Sequence, residues 1–128
     1  MALCAVALIV PISSVAACLD YSPALVSVVG KLERRTYPGR PNYESVARGD
    51  EAETGFYLIL RTGVCTNGVV GAGETEPKAN VKLVQLILDQ AGYDALRPRL
   101  GTTIRVEGKL FGQISGHHHA PLLLEVAR

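Results

Sequence analysis

The sequence predicts an all-β fold with small helical content, a barrel of five strands with one short helix between the third and fourth. Three observations point there. Short runs of alternating or continuous apolar residues recur along the chain, each bounded by Gly, Pro or Asn-Gly turn residues. A single stretch with helical chemistry, "DQAGYDALRPRLG", separates the third run from the fourth. Glycines fall inside the first and fourth runs, where a small sheet has to bend to close on itself.

The first strand lies in "ALVSVVGKLERRTYPG", where Val26, Val28 and Gly30 alternate with Ser27, Val29 and Lys31. Gly30 within that pattern marks a bulge or a close crossing by a neighbouring strand. A long polar connection follows over residues 37–55, with two prolines and three glycines. Long connections in compact domains are usually either functional or disordered. The second strand is "FYLILRT", residues 56–62, and the stretch "NGVVGAGETEPKAN" after Cys65 is turn chemistry. Its glycines do not form a phosphate cradle, because no Lys-Ser/Thr pair follows. In "VKLVQLIL", residues 81–88, Val81, Val84 and Leu88 fit a helical stripe, but the short length and β-branched content favour a strand.

The helix follows, with Asp89 near its start, Tyr93 and Leu96 facing inward, Pro98 stopping it and Gly101 ending the excursion. In "TTIRVEGKLFG", Ile104, Val106 and Gly108 alternate with Arg105, Glu107 and Lys109. "APLLLEV" is the last strand. Five strands with a helix between the third and fourth is the order of an OB-fold barrel, whose 1–2 and 4–5 connections flank the ligand-binding face. Those connections fall at residues 33–55 and 111–120.

Compartment is read from the start of the chain. The first seventeen residues, "MALCAVALIVPISSVAA", carry no charge and end in small residues, the shape of a secretory signal without its basic lead. The apolar run is shorter than the ~20 residues of a membrane span, and Pro11 interrupts it. Residues 1–17 are therefore expected to be a signal peptide and 18–128 a single OB-like domain, periplasmic or secreted. All 13 Lys/Arg and 12 Asp/Glu lie beyond the leader, leaving a net charge of +1. That balance, with no aromatic series on a basic surface, argues against nucleic acid.

With Cys4 in the leader, Cys18 and Cys65 remain, and in an oxidising compartment they most simply form one disulfide. The rival reading takes "VAAC" as a lipobox with a lipid anchor on Cys18, leaving Cys65 an odd thiol.

The stretch "YDALRPRLGTTIRVEGKLFGQISGHHHAPLLLEV" resembles the C-terminal signature of an uncharacterised family of exported bacterial proteins, domain of unknown function 4431. Its most specific pieces are "VEGKLF" and "GHHHAPLLL", and the upstream sequence fits a longer form of such proteins. The resemblance implies export and a small β-rich domain, and carries no activity.

Chemistry concentrates in the two flanking connections. Tyr37, Arg40 and Tyr43 occupy the first and His117, His118 and His119 the second. Together they offer stacking surfaces and hydrogen-bond donors suited to a protein or cell-envelope ligand. If residues 117–119 are extended, His117 and His119 project to one face and His118 to the other. Two imidazoles so placed suit Zn, Cu or Ni, with Glu44, Asp50 or Asp20 as sources of a further oxygen. A small metal-dependent hydrolase is the minor reading. No nucleophile elbow accompanies Ser115, and the Asp50/Glu51/Glu53 carboxylates read as solvated loop residues. The sequence thus predicts a non-catalytic binding module without a required cofactor.

Overall fold

The computed structural model describes residues 5–9 and 17–128. Most of the expected leader, including Cys4 and the first part of the lipobox-like motif, lies outside the described residues. From Val26 onward the elements run β1 (Val26–Pro38), β2 (Ala52–Val64), β3 (Val81–Ile87), α1 (Gln90–Leu96), β4 (Thr103–Gly112) and β5 (Leu122–Val126). The strands close into a barrel in the order β1-β2-β3-β5-β4. All neighbours are antiparallel except β3 and β5, which run parallel with Val84 opposite Leu122. This is the expected OB-like arrangement, with α1 between β3 and β4.

The period-2 pattern does what it predicts. In β4, Ile104, Val106, Gly108 and Leu110 are buried while Thr103, Arg105, Glu107 and Lys109 are exposed. The barrel interior is filled by Val28, Leu32, Leu58, Val84, Leu110, Leu122 and Leu124, among others. Tyr93 and Leu96 of α1 pack against that core, with Phe56 meeting Tyr93 edge-on at a centroid distance of 4.8 Å. Asp89 caps α1, its side chain accepting the Gly92 N–H at 2.8 Å. The glycines in β1 and β4 mark close approach: a Cβ on Gly30 would sit 2.9 Å from the Ile59 carbonyl oxygen, and one on Gly108 only 2.2 Å from that of Glu125.

The first connection is shorter than expected. β1 runs on to Pro38 and β2 begins at Ala52, pairing Tyr37 with Glu53 and Thr36 with Thr54. The connection proper, L12, spans residues 39–51, and L45 spans residues 113–121. The extra strand length escapes the apolar pattern because this end of the β1–β2 hairpin lies outside the barrel interior, where polar side chains are tolerated on both faces. Cys18 and Cys65 form a disulfide, which ties the segment before β1 to the end of β2. Leu19 adds a bridge to Thr66. Among the described residues no helix is long and apolar enough to cross a membrane.

Candidate functional site where L12 meets L45

Glu53 is the centre of the site. It stands on β2 opposite Tyr37 of β1, and Gly39 leaves room for it, since a Cβ there would lie 2.7 Å from Glu53 Cγ. One carboxylate oxygen meets His117 Nδ1 at 2.5 Å, and the other meets His119 Nε2 at 3.0 Å. Burial pushes the Glu53 carboxyl up, but the hydrogen bonds and charge of His117 and His119 outweigh it and hold the group below the ordinary carboxylate range.

L45 is seated by β3 as well as by β2. Gln85 Oε1 accepts the His119 N–H at 2.7 Å, and Gln85 Nε2 donates to the His117 carbonyl at 3.3 Å. One side-chain amide thus satisfies a donor and an acceptor of an irregular backbone that has no strand partner there. The His119 ring stacks on Tyr37 at 5.0 Å with an interplanar angle of 8°, and Tyr37 in turn tilts against Tyr57 at 5.4 Å. Tyr57 and Leu123 are buried yet lie outside the interior cluster, forming a second apolar layer on the barrel's outer face. Burial pushes the Tyr57 hydroxyl well above its ordinary pKa.

L12 is shaped by Asp50, whose carboxylate accepts the backbone N–H groups of Asn42, Glu44 and Ser45 at 2.8 to 2.9 Å. Those donors hold its pKa below the ordinary carboxylate value. The loop so folded presents Tyr43 with φ of 55°, a left-handed conformation uncommon for a tyrosine. The Tyr43 ring lies over Gly116, where a Cβ would come within 2.8 Å of it. It meets His117 edge-on at 5.6 Å, its hydroxyl 3.4 Å from Nε2. Nδ1–H toward Glu53 and a lone pair on Nε2 toward Tyr43 is the tautomer this geometry favours.

Of the residues singled out in the sequence, Tyr37, Tyr43, His117 and His119 converge. Arg40 does not join them: it is exposed and pairs with Glu51 at 3.8 Å. His118 turns the other way, against Phe111, with its Nδ1 accepting the Ile114 N–H at 3.1 Å. Burial first, then the neighbouring His117 and His119, lower its pKa. Asp20 bonds elsewhere, to Asn67 at 2.7 Å, and among the described residues Glu44 forms no ion pair with an imidazole, both such pairs being made by Glu53. Glu53, expected from the sequence to be a solvated loop carboxylate, is instead the imidazoles' partner on β2, and the sequence signal for it is its place three residues before the apolar run. Among the described residues, no three or more His, Cys, Asp or Glu side chains are disposed around a common point as metal ligands.

The fold and this two-loop junction define an OB-like barrel with its 1–2 and 4–5 connections in direct contact. Residues 83–128, from within β3 to the end, match the family described as Domain of unknown function (DUF4431). No curated protein and no solved structure matches the chain.

Proposed function

We propose that this is an exported, non-catalytic binding module that recognises a protein or cell-envelope ligand across the surface where L12 and L45 meet. The carrying observation is that the two loops are built to fit each other. Tyr43 of L12 occupies the space that Gly116 leaves in L45, and Glu53 fixes His117 beneath it. The same two loops carry exposed apolar residues, Val46 on L12 and Ile114 on L45, and L12 also carries the exposed Arg40. Apolar and aromatic groups ringed by charge are the composition of a recognition patch. The disulfide accords with an oxidising compartment.

A photo-crosslinking residue placed at Val46 or Ile114 in the producing cell tests the reading. A discrete adduct from both positions is expected, and none from Val29, an exposed strand residue. Equal adducts from Val29, or no adduct from either loop, would overturn it.

A second reading is a periplasmic metal-binding protein using His117 and His119 with Zn, Cu or Ni. It is favoured by the meeting of both imidazoles at one carboxylate, and it requires Glu53 to exchange its hydrogen bonds for a shared ion. Elemental analysis of the natively purified protein decides it. Stoichiometric metal that is lost in His119→Ala supports this reading, and its absence from wild type removes it.

A further inference from the structure

Where β1 outruns the barrel, one of its sides has no strand beside it. Pairing with β4 ends at Lys31 opposite Thr103. Two more backbone bonds close that ladder, the Leu32 N–H to the Thr102 carbonyl at 2.9 Å and the Gly101 N–H to the Leu32 carbonyl at 2.7 Å. β1 runs on to Pro38, paired there with β2 alone. In an antiparallel strand the N–H and C=O of one residue point to the same side, and successive residues alternate. The Gly39 N–H bonds to the Glu51 carbonyl across the hairpin, so the odd-numbered residues of β1 face β2. Leu32 faces the other way, and Arg34 and Thr36 follow it. Both are exposed, and among the described residues no group bonds to the backbone N–H or carbonyl of either. Pro38, next in that series, has no N–H and ends the row of donors.

An unpaired edge of this kind is a template for another strand, and its charge selects which one. Arg35 is paired with Glu33 at 3.2 Å, whereas Arg34 has no ion pair among the described residues. Arg99, two residues before the Gly101 contact with Leu32, is likewise without one. A second copy of the chain does not suit this edge. Antiparallel pairing about a two-fold axis at Arg34 or Arg35 would set arginine directly opposite arginine, which is destabilising. An axis at Thr36 would set Arg34 opposite Pro38, which has no N–H to give.

We infer that the free edge of β1 at Arg34–Thr36 is a docking site for an extended acidic segment of a partner protein, which adds a short strand there with a carboxylate beside Arg34. Main-chain bonds supply the affinity in such an addition, and alternate side chains the specificity. Partner residues opposite Arg34 and Thr36 share their face of the sheet, and the residue between them shares the face of Arg35. Because Glu33 already neutralises Arg35, the edge calls for acidic residues at alternate positions with uncharged ones between. Arg34 and Thr36 belong to neither L12 nor L45, and the inference does not rest on the junction of those loops.

Isotope-labelled protein mixed with a capped peptide of alternating glutamate and valine tests it, with amide hydrogen exchange read by NMR. Exchange at Arg34 and Thr36 is expected to slow by about tenfold at saturation, while Glu33 and Arg35, already facing β2, are unchanged. The same peptide with lysine in place of glutamate is expected to give no protection. Arg34→Glu is expected to weaken binding by about fivefold to tenfold. Thr36→Pro removes an edge donor without breaking the hairpin ladder and is expected to abolish protection at Arg34. Thr36→Ala, which loses only the hydroxyl contact with Thr54, is expected to keep it. No protection at millimolar peptide, equal protection by the lysine peptide, or undiminished binding to Arg34→Glu would overturn the inference. Protection that grows with protein concentration alone would assign the edge to a second copy and overturn it as well.

Discussion

Replacing Glu53 with Gln tests the joint between the strand face and the histidine loop. The substitution keeps shape and one acceptor oxygen while removing the charge shared by two imidazoles. Hydrogen bonds to charged groups contribute about 1.5–3 kcal/mol when shielded, whereas exposed ion pairs contribute about 0.2–1 kcal/mol. The His117 side chain is 52% exposed and belongs to the weaker class, while that of His119 is 11% exposed and belongs to the stronger. The expected loss is therefore about 2 kcal/mol, most of it through His119. In a domain of this size, 1 kcal/mol corresponds to about 4 °C in Tm, so thermal unfolding at neutral pH is expected to fall by about 8 °C. A double-mutant cycle separates the two contacts. Coupling of Glu53→Gln with His119→Ala is expected to be about 1 kcal/mol or more, and with His117→Ala about half that or less. Glu51→Gln is the control, since its pairing with Arg40 spans 3.8 Å between exposed side chains; its effect is expected within about 0.5 kcal/mol. Wild-type melting of Glu53→Gln, or coupling to His117 as large as to His119, would refute the reasoning.

Other perturbations probe the frame around the site. Gly108→Ala places a Cβ against the Glu125 carbonyl and is expected to cost about 1–3 kcal/mol in urea unfolding; neutrality would mean that β5 is free to shift. Asp50→Ala removes the acceptor of three backbone N–H groups, so hydrogen exchange is expected to quicken at Asn42, Glu44 and Ser45 while β4 stays protected. Replacing Cys18 and Cys65 together by Ser opens a loop with a sequence separation of 47 and is expected to cost about 4 kcal/mol in urea unfolding. Acid is expected to destabilise in two windows. His118 has a folded pKa below its ordinary 6.5, so the unfolded chain takes up the proton first. Its contribution is complete above 6.5 and declines as pH falls below that value, until the folded imidazole also protonates. The Glu53 contribution is present above its ordinary 4.5 and is lost as pH falls through its lower folded value. Urea midpoints measured against pH are expected to lose the upper window in His118→Gln and the lower one in Glu53→Gln.

The parts legible in the sequence are those with a period or a backbone constraint. The core positions of β4 follow from strict alternation, and Gly30 and Gly108 follow from strands crossing where no side chain fits. The far end of the β1–β2 hairpin was not legible, because residues 33–38 and 52–55 have no apolar alternation to reveal a strand beyond the barrel interior. Glu53 escaped for the same reason. In a run of carboxylates its place on a strand was hidden, and its partners are 64 and 66 residues away in sequence. Arg40 erred in the opposite direction, since proximity in sequence to Tyr37 and Tyr43 says nothing about direction on a folded loop. Asp50 was weighed as a possible ligand, whereas its acceptor capacity is spent on the backbone of L12.

Three consecutive histidines acquire three different tasks from one geometric fact. The turn closed by the His118 N–H on the Ser115 carbonyl leaves His117 and His119 facing Glu53 and His118 facing Phe111. Depth then separates the first two. His119 is stacked on Tyr37 and nearly covered, so it anchors the loop to the sheet, while the half-exposed His117 lies under Tyr43 at the surface. His118 accepts the Ile114 N–H through Nδ1, an arrangement that requires an unprotonated nitrogen there. A ligand at the loop junction therefore meets His117, whose tautomer Glu53 has already set. The energetic consequences of losing His119 belong to the fold, and those of charging His118 belong to the turn at 114–118. Binding assays on a triple alanine variant would merge these effects. Single replacements are expected to separate them, with His117→Ala altering recognition at nearly wild-type stability and His119→Ala lowering stability first. The reverse order would mean that the exposed imidazole is the anchor and that the stacking on Tyr37 is incidental.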